Sequence, residues 1–86
     1  MVNLPVFRKL QSRRQAYLSA FAGATGDTVL RDLAKFCRAH ESTFHPDARI
    51  AAVLEGRREV WLRIQEHLQL TDEELYALKG GPTDAG

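Results

Sequence analysis

The chain has 86 residues, a formal net charge of +1, 44% hydrophobic and 27% charged residues. That length fits one domain with a modest core, and the composition excludes a disordered polyelectrolyte. The single Cys excludes an internal disulfide framework, and no apolar run approaches the ~20 residues of a membrane span.

The start of the chain, Met1 to Arg14, lacks the apolar core of a secretion signal, so synthesis in the cytoplasm is expected. Charge is unevenly spread. Residues 1–45 hold seven basic and three acidic groups, whereas residues 46–86 hold five basic and eight acidic groups. Such asymmetry steers partners of one sign to one half, but neither half is basic enough to demand nucleic acid.

The first predicted helix runs from about Pro5 to Ala22. Phe7, Leu10, Tyr17, Leu18 and Phe21 recur at the spacing of one helix face, and Pro5 suits a first turn, where its missing N–H is not needed. Arg8, Lys9 and Arg13 fall on the opposite face. Arg14 falls within the apolar stripe, where a long stem lets the guanidinium reach water. Gly23-Ala24-Thr25-Gly26 reads as a break.

The second helix is expected over about Gly26 to Glu41, capped by Thr25, with Val29, Leu30, Leu33, Phe36 and Cys37 as its stripe. Asp27 and Arg31 form a favourable pair one turn apart. Ser42 to Pro46 connects to the third helix, and Phe44 is expected to tuck against the core. Pro46 or Asp47 opens the third and longest helix, which continues to about Gln69. Ile50, Val53, Leu54, Trp61, Ile64 and Leu68 form its stripe, widened by Val60. Gly56 interrupts it at a cost of ~1 kcal/mol relative to Ala, which suggests a close approach by another group.

Thr71-Asp72-Glu73-Glu74 is a capping box, in which Thr71 and Glu74 satisfy each other's backbone N–H. The short fourth helix ends near Lys79, before the stop Gly80-Gly81-Pro82. Residues 1–4 and 80–86 are expected to be loose. No alternating run supports a strand. The expected fold is therefore all-α, one domain over residues 1–86: a small bundle of three main helices plus a short C-terminal fourth.

Few residues suggest chemistry. Cys37, His40 and His45, with His67 further on, offer soft ligands, but their spacing matches no standard zinc pattern and Cys37 continues an apolar stripe. Asp72, Glu73 and Glu74 complement a helix N-terminus without the surroundings of a calcium loop. Phosphate-binding, dinucleotide and metalloprotease motifs are absent from the sequence. Neither a catalytic group nor a cofactor or metal is expected, and the chain reads as a binder, not an enzyme. Two sets of candidate contacts remain. Arg8, Lys9, Arg13 and Arg14 make an acid-free stretch able to meet a phosphate or an acidic partner. Gly56, Arg57 and Trp61 form the most unusual local sequence. They set helix packing, with Arg57 paired to Asp32, or else form an Arg–Trp partner surface.

Four blocks carry a resemblance: Val29 to Cys37 (VLRDLAKFC), Thr43-Phe44, Glu55 to Ile64 (EGRREVWLRI) and Leu70 to Leu75 (LTDEEL). In this order they resemble a family of small tailed-phage and prophage proteins named after a Bordetella podophage virion-module protein. The likeness covers about Tyr17 to Leu78. It implies a phage origin and a neighbourhood of capsid, portal and internal-protein genes, but brings no catalytic residue. The leading expectation is a virion component or assembly factor, present in the host cytoplasm during assembly and then in the particle. It would dock on a larger phage protein of the portal, tail or DNA-ejection machinery, in a ring of copies if the partner is one. The alternative is a regulatory or host-takeover protein that contacts DNA or a host protein through the basic first helix.

Overall fold

Asn3 starts the first helix. Its side-chain oxygen accepts the Val6 N–H at 3.2 Å, and its carbonyl accepts the Phe7 N–H at 2.8 Å. This cap is strong enough to open α1 at Leu4, ahead of Pro5. The structure is a computed structural model that describes residues 3–78. It shows α1 (Leu4–Ala20), α2 (Gly23–Phe36), α3 (Ala48–Gln69) and α4 (Asp72–Leu78), with no strand among the described residues. The all-α expectation holds. Asn3 and Leu4, expected to be loose, instead belong to a capped helix. The expected loose tail at 80–86 and the helix end near Lys79 lie outside the described residues.

The boundaries of α2 differ from those expected. The helix begins at Gly23, preceded by Ala22, which makes no side-chain cap; Thr25 therefore lies within the helix. The two glycines read as a break serve its first turn. Gly23 has a φ of +70°, a conformation that strains other residues. Gly26 is buried, and a Cβ there would overlap the backbone carbonyl of Phe21. At the other end α2 stops at Phe36, well before Glu41. Arg38 takes a left-handed φ of 51°, its N–H donates to the Lys35 carbonyl at 3.2 Å, and the Ala39 N–H reaches back to Ala34 at 2.9 Å. This is a Schellman stop with Arg where Gly is usual, so no glycine announces it.

The other two helix starts follow local chemistry. Asp47 caps α3 by accepting the Arg49 N–H at 2.8 Å and the Ile50 N–H at 3.4 Å. The capping box of α4 forms as read: the Thr71 N–H donates to Glu74 Oε1 at 3.1 Å, and the Glu74 N–H donates to Thr71 Oγ1 at 3.2 Å. Hydrogen bonding to the Glu74 carboxyl, first from the Thr71 backbone N–H and then from the Thr71 side chain, holds it below its ordinary pKa of 4.5.

The chain divides into two compact units. The first holds α1, the end of α3 from Gln65, and α4. Here α1 packs on α4, and Leu10, His67 and Leu75 are fully buried. Phe7 meets the Tyr76 ring edge-on at 5.7 Å, while the Tyr76 hydroxyl accepts the Asn3 N–H at 2.9 Å.

The second unit holds α2, the connector and α3 through Ile64. Cys37, Leu54 and Ile64 are its buried apolar residues. Arg58 reaches back to the connector, donating to the carbonyls of Arg38 at 3.1 Å and Glu41 at 2.9 Å. The Thr43 hydroxyl hydrogen-bonds the Glu55 carboxylate. The connector is thus held by polar ties to α3, and Phe44, expected in the core, is 78% exposed.

Candidate interaction surface

Arg8 and Lys9 are exposed on α1. Arg13 and Arg14 are half-buried and directed into their own unit. Arg13 Nε donates to His67 Nε2 at 3.1 Å. The Tyr17 ring stacks on the same imidazole, 4.3 Å between centroids and 17° from parallel. Arg14 Nε donates to the Leu70 carbonyl at 2.6 Å, and a terminal nitrogen lies 3.4 Å from Asp72 Oδ1. Gln11 adds a 3.4 Å bond to the other Asp72 oxygen. The guanidinium expected to reach water instead clasps the Leu70 carbonyl at the α3–α4 turn. Arg13 and Arg14 are thus built into the fold.

Gly56, Arg57 and Trp61 also separate. Around Gly56 a Cβ would meet nothing within 4 Å, so the expected close approach is absent among the described residues. Trp61 is half-buried. Arg57 is exposed, and its guanidinium lies 4.3 Å from the centre of the Phe36 ring. It engages an aromatic face on α2, not the Asp32 carboxylate.

Sequence reasoning missed what surrounds them. Val29 and Phe36 of α2 are 44% and 56% exposed, and Ile50, Val53 and Val60 of α3 are 44%, 52% and 56% exposed. Periodicity assigned all five to the core. One signal was available: a small domain cannot bury so broad a stripe. The second unit therefore presents large apolar side chains along both its helices, with Arg57 among them. A shallow depression lined by Arg31, Ala34, Lys35, His40 and Glu41 lies on the same unit, with Arg31 paired to Asp27 at 2.8 Å as expected.

Cys37 is buried, consistent with a small hydrophobe. Among the described residues, no group of three or more His, Cys, Asp or Glu side chains is placed to hold a metal ion. No described helix is long and apolar enough to cross a membrane.

These features define a small all-α protein with an exposed apolar helix surface on one unit. The sequence profile of the Bbp19-like phage proteins matches residues 17–79. The chain belongs to that phage protein family, in agreement with the resemblance carried by its sequence blocks. No curated protein and no solved structure matches it.

Proposed function

We propose that this phage protein is a non-enzymatic structural or assembly component. It docks on a larger protein of the phage particle, in the portal, tail or DNA-ejection machinery. The observation that supports this reading is the exposed apolar surface of the second unit, with Phe36, Val53 and Val60 each more than half exposed. Contiguous apolar surface on a small protein marks an interaction site. The polar groups of the first unit support the same reading from the other side, since Arg13, Arg14 and Asp72 are engaged in holding helices together.

Quantitative mass spectrometry of purified particles and of assembly intermediates tests it. The expected result is the protein at a fixed copy number per particle or intermediate. Its absence from both overturns the proposal. The alternative of DNA contact through α1 retains Arg8 and Lys9 as outward cations. It would show as salt-dependent DNA binding weakened by changing these two to Ala.

A further inference from the structure

Four residues of α3 make a seam. Ile50, Val53, Arg57 and Val60 follow one another at intervals of three, four and three residues. On an α-helix this places them within an arc of about 80°. All four are exposed. Such spacing is the stripe that a second helix fills, its side chains seated between successive pairs. Gly56 lies at the edge of the seam, between Val53 and Val60, and nothing stands above it. A glycine in the interior of a 22-residue helix costs ~1 kcal/mol relative to Ala. Packing among the described residues does not account for it. A notch that admits a partner's backbone does.

The charges along the seam select the partner. Arg57 stands in its middle, held on the Phe36 ring, and among the described residues it forms no ion pair. Arg49 flanks the seam at the N-terminal end. Helix geometry turns Glu55 and Glu59 to the opposite side of α3, and Glu55 is bound there by Thr43. Asp32, one turn before Phe36, belongs to α2. The α3 of a second copy laid along the seam, parallel or antiparallel about its centre, would bring two Arg57 guanidiniums together. That like-charge approach costs affinity. A helix that presents apolar residues to Ile50, Val53 and Val60 and a carboxylate to Arg57 meets every feature at once.

We propose that the α3 seam is a docking site for an acidic amphipathic helix of another protein, with an Asp or Glu of that helix paired to Arg57. Ile50 to Val60 spans ~15 Å, so the site takes about three turns of partner helix. The inference deepens the proposed docking function by naming the face used and the chemistry of what it meets.

The test places a photo-crosslinking amino acid at Val53 in the full chain, in phage-infected cells, and identifies the attached peptide by mass spectrometry. The expected peptide is helical, with apolar residues at three- and four-residue spacing and a carboxylate in register with Arg57. Arg57→Glu should reduce crosslinking about tenfold or more. Changing the partner's acid to Lys should restore it. Equal thermal melting of Arg57→Glu and the parent chain shows that the loss is not unfolding. Crosslinking to a second copy, to nucleic acid or to lipid overturns the inference, as does indifference to Arg57→Glu. So does a protein present in particles whose seam yields no crosslink; the particle reading then stands alone. An acidic helix captured from a host protein, with the chain absent from particles and intermediates, does the reverse. It supports the seam and overturns the particle reading.

Discussion

The two units spend their side chains differently. In the first, Leu10 and Leu75 are completely buried, and Arg14 bridges to the Leu70 carbonyl and Asp72. His67 is sealed between Arg13 and Tyr17. Its long cations and aromatic rings serve as internal ties. In the second, polar ties from Arg58 and Thr43 fasten the connector, yet Val29, Phe36, Ile50, Val53 and Val60 remain open to water. Side chains of the same chemical kinds bury the middle of the first unit, where Leu4 and Leu78 at the helix ends are exposed, and in the second leave apolar residues exposed along both helices. Apolar residues facing solvent add little to folding, because burial is what stabilises. On the proposed reading they serve association.

Substitutions can break this contrast. The largest effect belongs to the first unit. Leu75→Ala removes a fully buried side chain beside α1 and should cost about 2–5 kcal/mol of stability. Val53→Ala, at 52% exposure, should change stability by no more than about 0.5 kcal/mol. Denaturant titration of both variants measures the difference; equal losses would mean that the exposed seam is part of the core.

The glycines give a sharper contrast because the signs oppose. Gly26→Ala forces a methyl group into the Phe21 backbone and should destabilise by about 1–3 kcal/mol. Gly56→Ala meets open space and should stabilise the isolated protein by about 1 kcal/mol. If the seam docks a helix, that same methyl group should weaken association while it raises the melting temperature. Arg14→Gln should cost about 1–2 kcal/mol through the lost charged hydrogen bond to Leu70. Lys at this position should not restore it, since an ammonium cannot reproduce the forked donor set.

The smallest effect is one of pH. The folded Glu74 carboxyl lies below its ordinary value, so its cap contributes fully above that value and is lost as pH falls through the depressed one. Helicity monitored by circular dichroism through the acid range should show α4 loosening. Glu74→Gln should remove this component of the titration.

Legibility in the sequence followed the range of the interactions. The Thr71–Glu74 box uses partners within three residues, so the sequence shows it before any fold, whereas at the start of α3 the sequence leaves Pro46 and Asp47 open and the structure makes Asp47 the cap. The ends of α2 were not legible. Gly26 reads as a break until the Phe21 carbonyl is seen against it, and the stop at Arg38 depends on a left-handed backbone in a residue that does not advertise one. Arg14 was misplaced because its acceptor, the Leu70 carbonyl, is 56 residues away. The seam was hidden for a different reason. Periodicity shows that Ile50, Val53 and Val60 share a face but not whether anything in the chain covers it. Arg57 was recognised as unusual, yet its seat on Phe36 required both helices in place.

On the proposed reading the second unit carries the docking face and the exposed Arg8 and Lys9 of α1 do not. The most direct measurement is the copy number per purified particle of Val53→Asp/Val60→Asp beside Arg8→Ala/Lys9→Ala, each checked for parental melting behaviour. The expected result is about a tenfold or greater loss of the first variant from particles, the scale of one disrupted interface contact, and parental levels of the second. Parental incorporation of Val53→Asp/Val60→Asp, or loss of only the α1 variant, would contradict it.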